Sequence, residues 1–199
     1  MNWSEGTSFV LTRCRRSDQA HFDFYTSLQG LPIHEALAAA RARYPARAEA
    51  TWNITMSNYR RKGINERMQR KAAAGEANKI WIDGEEAEVH YHLFTGTRLI
   101  GSNTVGKFVN GAFLLVSGVG QEGAVPFQDE DTKEEFETSV EQIARHTKLR
   151  WALTICSVQG KSLPGTIAIH DVESTHFSVT HLYVALSRAT DGANVSIAK

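Results

Sequence analysis

The strongest constraint on the fold is an apolar run at residues 151–155 that ends in a polar turn. The run predicts a buried strand, and Ser157, Gln159 and Gly160 then supply a hydroxyl, an amide and backbone N–H groups. Residues 178–189 predict a short helix with Arg188 near its end. Open α/β sheets bind ligands at the carboxyl ends of their strands. An arginine beside that edge suits phosphate, because its planar guanidinium stays charged and donates two parallel hydrogen bonds.

Strand and helix patterns alternate on both sides of a glycine-rich middle. The following elements are predicted before the middle: a strand at 8–13, a helix ending near 29, a helix at 33–44, a strand at 51–56 and a helix ending near 74. Strands at 166–170 and 194–198 are predicted near the end of the chain. This alternation predicts an α/β fold with a parallel sheet flanked by helices.

The middle of the chain has a different pattern. Between residues 97 and 130, short apolar runs are separated by glycines, which predicts a small β-rich insertion. Asn110-Gly111 between apolar flanks predicts a hairpin, because this pair adopts positive φ at little cost. We expect a further strand at 123–127, followed by an acidic amphipathic helix at 132–146 with Phe136 on its apolar face.

Composition limits the possible partners and the compartment. The chain of 199 residues has 22 basic and 22 acidic residues, so its formal net charge is zero. Any nucleic-acid binding therefore has to come from local patches, and basic residues concentrate in the first third of the chain. Acidic residues concentrate at 83–88 and 129–141. Cys14 and Cys156 are expected to be buried free thiols in a reducing compartment.

The sequence offers no sign of a membrane anchor or a metal centre. No apolar run reaches the length of a transmembrane helix and no signal peptide is visible, so no membrane partner is expected. We expect an intracellular location, in the cytoplasm, the nucleus or a viral replication site. His90 and His92, like His170 and His176, lack the cysteine or carboxylate that would complete a zinc pattern, so no metal ligands are predicted.

Two segments resemble motifs V and VI of superfamily 1 helicases, in the RecD-like 5′-to-3′ branch. Residues Thr154, Ile155, Gln159 and Gly160 match the family pattern Thr-Ile-His-Lys-Ser-Gln-Gly, in which Cys-Ser-Val here replaces His-Lys-Ser. Residues 183–188 match Tyr-Val-Ala-Leu-Ser-Arg at every position. The resemblance implies that the chain is the second, C-terminal RecA-like domain of a DNA helicase.

Looser landmarks extend the resemblance over residues 8–198. Residues 11–16 are similar to a segment in which an arginine, here Arg16, reaches the γ-phosphate of the nucleotide. Residues 55–65 look like a strand, turn and helix that face single-stranded DNA, and 103–111 resemble an Asn-Gly element that leads into a small β-barrel. The implied division is 1–96 for the first part of the RecA-like domain, 97–130 for the β-rich insertion and 131–199 for the remainder.

The resemblance also implies roles for individual residues. Arg188 and Arg16 are expected to act catalytically as arginine fingers on the γ-phosphate. Nucleotide binding is expected of Gln159, Gly160 and Arg188. Single-stranded DNA is the implied partner, and the residues expected to contact it are Ser57, Asn58, Thr154, Ser157 and Lys161.

ATP and Mg²⁺ are the implied cofactors, held mainly by an N-terminal RecA-like domain in the same polypeptide or in a separate chain. The 199 residues contain no Gly-x-x-x-x-Gly-Lys-Ser/Thr loop, because Ile155 stands where a glycine would have to precede Gly160-Lys161-Ser162. They also contain no Asp-Glu pair directly after the apolar residues of a strand to hold Mg²⁺. We therefore expect the chain alone to be inactive as an ATPase.

Simpler roles and other functions stay open. Arg188 can instead pair with Asp191 or cap its helix, and Ser57 can serve as a helix cap. Thr154 can merely satisfy backbone groups. One alternative function is a catalytically inactive helicase-like module that binds single-stranded nucleic acid or a replication partner. A further alternative is an RNA helicase domain, because viral superfamily 1 RNA helicases share the general pattern.

Overall fold

The computed structural model describes residues 13–83, 89–119 and 123–198. The strand predicted at 8–13 lies outside these residues except for Arg13. The helices are α1 (Gln19–Ser27), α2 (Ile33–Arg43), α3 (Asn58–Ala73), α4 (Val140–His146) and α5 (Val179–Leu186). The strands are β1 (Trp52–Thr55), β2 (Ile80–Ile82), β3 (Tyr91–Leu93), β4 (Arg98–Gly101), β5 (Phe113–Val116), β6 (Ala124–Asp129), β7 (Glu135–Ser139), β8 (Thr147–Leu149), β9 (Ala152–Thr154), β10 (Ile167–Ile169) and β11 (Val195–Ile197).

One sheet is parallel, with the strand order β11-β10-β1-β9. Its strands are buried along almost their whole length, as parallel strands are when helices cover both faces of the sheet. Helix α3 packs against β1 and β9, α2 packs against β11, and α1 packs on α5. The predicted α/β fold with a parallel sheet flanked by helices is therefore confirmed.

Polar residues begin the helices where the sequence predicted. The side chain of Asp18 accepts a hydrogen bond from the N–H of His21 (2.7 Å) at the start of α1. Ser57 does the same for the N–H of Arg60 (3.1 Å) at the start of α3. These bonds satisfy N–H groups that have no partner within the helix, so they fix where each helix begins.

The second sheet is antiparallel, with the strand order β7-β6-β5-β4-β8, and a separate pair, β2-β3, packs beside it. Leu99, Leu114, Phe127 and Ile143 are fully buried in a core of its own, which includes Ile82 from β2. The predicted β-rich insertion is thus present. Its sheet begins at Arg98 and continues to Leu149, beyond the expected end at residue 130, and the division into 1–96, 97–130 and 131–199 stays a prediction.

The helix predicted at 132–146 is wrong in its first half. Residues Glu135–Ser139 form β7, in which exposed and half-buried residues alternate, and α4 begins only at Val140. Phe136 lies opposite Phe127 in the ladder and its ring stacks on that ring at 5.8 Å. The helical spacing of apolar residues was therefore overridden by a cross-strand aromatic pair.

Asn110-Gly111 lies in the connection of the antiparallel pair β4 and β5, as predicted. Gly111 has φ of +79°, and its N–H donates to the carbonyl oxygen of Gly101 (2.9 Å). The connection also passes very close to β4, because a Cβ atom at Gly101 would lie 2.1 Å from the carbonyl oxygen of Val109. Only glycine fits at position 101 in this hairpin.

An aromatic and cationic stack joins the two sheets. Trp52 of β1 stacks on Phe113 of β5 with ring centroids 5.2 Å apart. The guanidinium of Arg150 lies over both rings, 5.0 Å and 4.3 Å from their centroids. Glu130 accepts two hydrogen bonds of 2.8 Å from Arg150, whose side chain is only 1% exposed. Trp52 and Phe113 are therefore buried core residues at the junction of the two sheets.

Candidate functional site

A carboxylate from the neighbouring strand fixes the turn between β1 and α3. Oδ2 of Asp171, two residues after β10, accepts hydrogen bonds from the N–H of Met56 (3.2 Å) and from the N–H and hydroxyl of Ser57 (3.1 Å each). The φ of Asp171 is +59°, a left-handed conformation that aspartate adopts more readily than most residues. The Ser57 hydroxyl is thus already engaged, as donor to Asp171 and as cap of α3.

Asn58 and Arg61, in the first turn of α3, are joined by a hydrogen bond. Oδ1 of Asn58 accepts a hydrogen bond from Nε of Arg61 (3.1 Å). The Arg61 side chain is buried against the body of the protein, and both residues line a cavity at the carboxyl edge of the parallel sheet. Asn58 therefore faces the predicted ligand edge, whereas the Ser57 hydroxyl is bonded to Asp171 and stabilises the turn.

The turn after β9 is closed by its own hydroxyl groups. The Ser157 hydroxyl donates to the carbonyl oxygen of Thr154 (2.9 Å), and the Ser157 N–H donates to Oγ1 of Thr154 (3.3 Å). Val158 is fully buried and anchors the turn in the main core, and Gly160 has φ of +80°. Cys156 is exposed here, so the prediction that it is buried is wrong.

These turns and the insertion enclose a polar cavity of about 570 Å³. The sequence-predicted residues that line it are Asn58, Thr154, Ser157, Gln159, Gly160 and Lys161. The insertion supplies Ser102, Asn110 and Lys148. With Arg61, Lys148 and Lys161 present and no acidic residue among its described lining, the cavity is electrostatically suited to an anion.

Lys161 connects the turn after β9 to the insertion. Its Nζ lies 4.3 Å from the centroid of the Phe113 ring in β5. It also approaches Gly111, where a Cβ atom would lie 3.8 Å from Nζ. Lys161 is half-buried, so its charge is partly shielded from solvent by the walls of the cavity.

Arg188 follows α5 and is half-buried. Its Nε donates to the carbonyl oxygen of Val184 (3.1 Å), so the expected capping of its own helix is present. Its Nη2 donates to the Ser187 hydroxyl (2.7 Å). Asp191 does not pair with Arg188 and accepts instead from the N–H of Ala193 (2.8 Å). Within the described part of the chain, Arg188 forms no ion pair.

The positive charges of Arg16 and Arg188 interact. Burial lowers the pKa of Arg188, and the second cause of the lowering is the positive charge of Arg16. Arg16 is exposed. Nη1 of Arg188 donates to the carbonyl oxygen of Lys161 (3.2 Å), and the N–H of Leu163 donates to the carbonyl oxygen of Arg188 (2.9 Å). Arg188 thus adjoins the turn that forms the cavity.

The structure brings together residues for which the sequence predicted different roles. Gln159 and Gly160, expected at the nucleotide, line the same cavity as the residues expected at DNA. Sequence reasoning missed Asp171 and Lys148. The position of Asp171 after a buried strand at the carboxyl edge was a usable signal, whereas the pairing of β8 with β4 that places Lys148 had none.

Residues 13–83, 89–119 and 123–198 contain neither a membrane-spanning helix nor a cluster of metal-binding side chains. No helix there is long and apolar enough to cross a bilayer. Within the same ranges, no group of three or more histidine, cysteine or acidic side chains is arranged to hold a metal ion.

The parallel sheet, its flanking helices and the antiparallel insertion define a RecA-like α/β domain of the superfamily 1 helicase type. The chain belongs to the family described as the viral superfamily 1 RNA helicase core domain, which matches residues 97–196, half of its length. No curated protein sequence matches the chain.

Solved structures of Pif1 helicases share the fold. The Pif1 helicase of Candida albicans is similar with a TM-score of 0.62 and 18% identity, over 92% of this chain and 53% of that one. Bacteroides Pif1 bound to ssDNA has a TM-score of 0.61 and 16% identity, over 92% and 50%. Bacteroides sp. Pif1 in complex with ADP-AlF4 has a TM-score of 0.52 and 16% identity, over 92% and 49%. The chain therefore spans about half the length of these helicases.

Proposed function

We propose that this chain is the second RecA-like motor domain of an ATP-dependent DNA helicase of the RecD-like 5′-to-3′ branch. Its partners are an N-terminal RecA-like domain, in the same polypeptide or in a separate chain, and single-stranded DNA. The observation that carries the proposal is the 3.2 Å hydrogen bond from Nη1 of Arg188 to the carbonyl oxygen of Lys161. This bond joins an arginine suited to the γ-phosphate to a residue of the polar cavity.

The polar cavity is the DNA track. Lys161 and Lys148 supply positive charge for backbone phosphates, and the amide of Asn58 supplies a donor. Thr154 and Ser157 add hydroxyl groups on the same wall. Bacteroides Pif1, which shares the fold, has been solved bound to ssDNA. Ser57 acts through the turn that it holds, since its hydroxyl is bonded to Asp171.

Arg188 and Arg16 form the nucleotide side of the domain. A guanidinium has five N–H groups, and the contacts of Arg188 with the described residues leave one N–H on each terminal nitrogen for two phosphate oxygens. Both arginines stabilise the charge that develops on the γ-phosphate during hydrolysis. ATP with Mg²⁺ supplies the phosphoryl group that is transferred to water, and the N-terminal domain holds both.

Coupling between the two sides follows from the short path between them. When Arg188 turns toward a phosphate, its bond to the carbonyl oxygen of Lys161 changes, and the Lys161 side chain reaches the insertion at Phe113. Opening and closing of the nucleotide cleft therefore alters the wall of the DNA track. This is how hydrolysis moves the strand.

An RNA substrate is the second candidate. The observation that favours it is the description of the matching family, which names an RNA helicase core domain. The cavity contacts in the proposed track are to phosphates, which DNA and RNA share. The substrate is therefore decided by comparing the two nucleic acids directly.

A module that binds single-stranded nucleic acid without hydrolysing ATP is the third candidate. The observation behind it is the replacement of His-Lys-Ser by Cys156, Ser157 and Val158 in the turn after β9. Ser157 stands in place of the lysine, and the buried Val158 stands in place of the serine. This turn therefore lacks the lysine of the family pattern and has an apolar side chain at the last of the three positions. In that case the role of Arg188 would be structural, through its contacts with Val184, Ser187 and the carbonyl oxygen of Lys161.

The test is ATP hydrolysis by the complete enzyme, with the domain that carries the phosphate loop present. Arg188→Ala should lower the DNA-stimulated rate about 10³-fold or more and leave ATP binding in place. Arg145→Ala, which removes an exposed arginine from α4, is the matched control and should retain the rate. A near-normal rate for Arg188→Ala would falsify the arginine-finger role. Stimulation by RNA alone would select the RNA candidate, and no stimulated hydrolysis in the wild type would select the binding module.

A further inference from the structure

Helix α3 is strongly basic in a chain whose formal net charge is zero. Glu66 is its acidic residue. Its basic residues are Arg60, Arg61, Lys62, Arg67, Arg70 and Lys71. All of these basic residues except the buried Arg61 are exposed, so the outer face of α3 is a candidate surface for an anionic partner.

The outer face of α3 begins with an aromatic ring in solvent. Tyr59 is 90% exposed, although burying an aromatic ring is normally favourable. Gly63, Glu66 and Arg70 follow Tyr59 at intervals that place them on one side of a helix. A Cβ atom at Gly63 would meet no atom within 4 Å, so the middle of this face is open.

Two adjoining cavities make this face a groove. One, of about 480 Å³, is lined by Tyr59 and Arg67, and the other, of about 680 Å³, is lined by Trp81. The cavities share Glu66 and Val89, so they meet halfway along α3. The 16 residues of α3 give the groove a length of about 24 Å.

The far end of the groove is also aromatic. Trp81 of β2 is 49% exposed. Its ring is tilted against that of His92 at 4.7 Å and stacks on that of His90 at 6.4 Å. Of the carboxylates in the described residues around the groove, Glu66 pairs with Arg70, and Asp83, which follows β2, pairs with His90 at 3.0 Å. Among the described residues, the groove therefore has an exposed aromatic ring at each end and cationic side chains between them.

We propose that this groove is a second binding site for single-stranded nucleic acid, separate from the track between the sheets. Bases stack on Tyr59 and Trp81, and phosphates lie beside Arg67 and Arg70. Aromatic platforms with a cationic groove are the arrangement that binds single strands without reading their sequence. The groove length accommodates about four nucleotides, the lower end of single-strand site sizes. The class of ligand assigned to the groove rests on the proposed function. The position of the groove on α3 does not depend on that function.

The test compares a short oligothymidylate of about 6 nucleotides with a long one of about 20 nucleotides, binding to the full chain. The short strand can occupy only one of the two sites and is expected to take the track, whereas the long strand reaches both the track and the groove. Trp81→Ala should weaken binding of the long strand about tenfold, as expected for one lost stack, and leave the short strand unchanged. Trp81→Phe keeps a ring and should restore most of that loss.

Arg67→Ala should lower the slope of log affinity against log salt for the long strand by about one, as expected for the loss of one phosphate contact. Leu31→Ala, which truncates another exposed apolar side chain, is the control and should bind both strands normally. The groove is refuted if Trp81→Ala and Arg67→Ala bind the long strand as the wild type does, or if they weaken both strands equally. A wild type that binds the long strand but not the short one would instead refute the track and keep the groove.

Discussion

Oδ2 of Asp171 accepts hydrogen bonds from both the N–H and the hydroxyl of Ser57, each 3.1 Å long. The two residues follow neighbouring parallel strands, so the contact ties the ends of β10 and β1 together at the ligand edge. Asp171 also lies 3.9 Å from Nε of Arg60 in the first turn of α3. The carboxylate thus fixes both the turn and the helix that carries Asn58 into the cavity.

Asp171→Ala should destabilise the chain by about 2 kcal/mol, because hydrogen bonds to a charged acceptor are lost and alanine tolerates φ of +59° poorly. Asp171→Asn should cost less, since asparagine keeps an acceptor oxygen and the left-handed backbone. Asp171→Gly relaxes the backbone and removes only the carboxylate. Urea unfolding of the three variants measures the order, and equal stability of Asp171→Gly and wild type would show that the carboxylate contributes nothing.

The part of the site that could be predicted lies in continuous sequence. Residues 183–188 identified α5 with Arg188 at its end, and residues 151–160 identified β9 and the turn after it, because each pattern is local. The Asp171–Ser57 contact joins residues 114 positions apart. No periodicity or cap signal links two such positions, so a contact of this kind follows only from the order of strands in the sheet.

Local sequence patterns also failed to predict contacts in the insertion. Phe136 fitted the apolar face of a helix as well as it fitted a strand, and the pairing with Phe127 decided between them. Trp52 and Phe113 are the apolar residues that a core favours, but nothing in their local sequence placed Arg150 between the two sheets. Tertiary pairing overrode local pattern at both places.

Lys161→Ala should weaken binding of single-stranded DNA to a similar extent for all sequences. The lysine is expected to contact phosphate rather than bases, so the slope of log affinity against log salt should fall by about one. Lys107→Ala removes an exposed lysine from the insertion outside the cavity and serves as the matched control. Anisotropy titrations at several salt concentrations measure the slope. An unchanged slope for Lys161→Ala would remove this residue from the track.

Glu130→Ala should destabilise the protein by about 3 kcal/mol, because it leaves the charge of the buried Arg150 without a carboxylate. Arg150→Met should cost clearly less, since an apolar side chain fills the space between Trp52 and Phe113. The Glu130 side chain, which is 30% exposed, then remains hydrated. Urea unfolding of both variants tests the order. The reverse order would mean that the stack, rather than the buried charge, determines the stability of the junction.

His170 should make stability depend on pH. Burial, followed by the charge of Arg60, lowers the pKa of His170 to about 4, and its buried Nδ1 has no hydrogen-bond partner among the residues that the structure describes. Asp171 opposes this lowering and Arg67 adds to it. The unfolded chain takes up a proton below its ordinary pKa of about 6.5, whereas the folded chain does so only near 4.

Stability from His170 is therefore complete above pH of about 6.5 and is lost as the pH falls toward about 4. Between pH of about 7 and about 5 the loss should be about 2 kcal/mol. His170→Gln keeps an amide that can donate to Oδ1 of Asn53, the present partner of Nε2 at 2.9 Å, but does not titrate. Urea unfolding at both pH values should therefore show a smaller loss for His170→Gln. Equal losses in wild type and variant would assign the acid sensitivity to other groups.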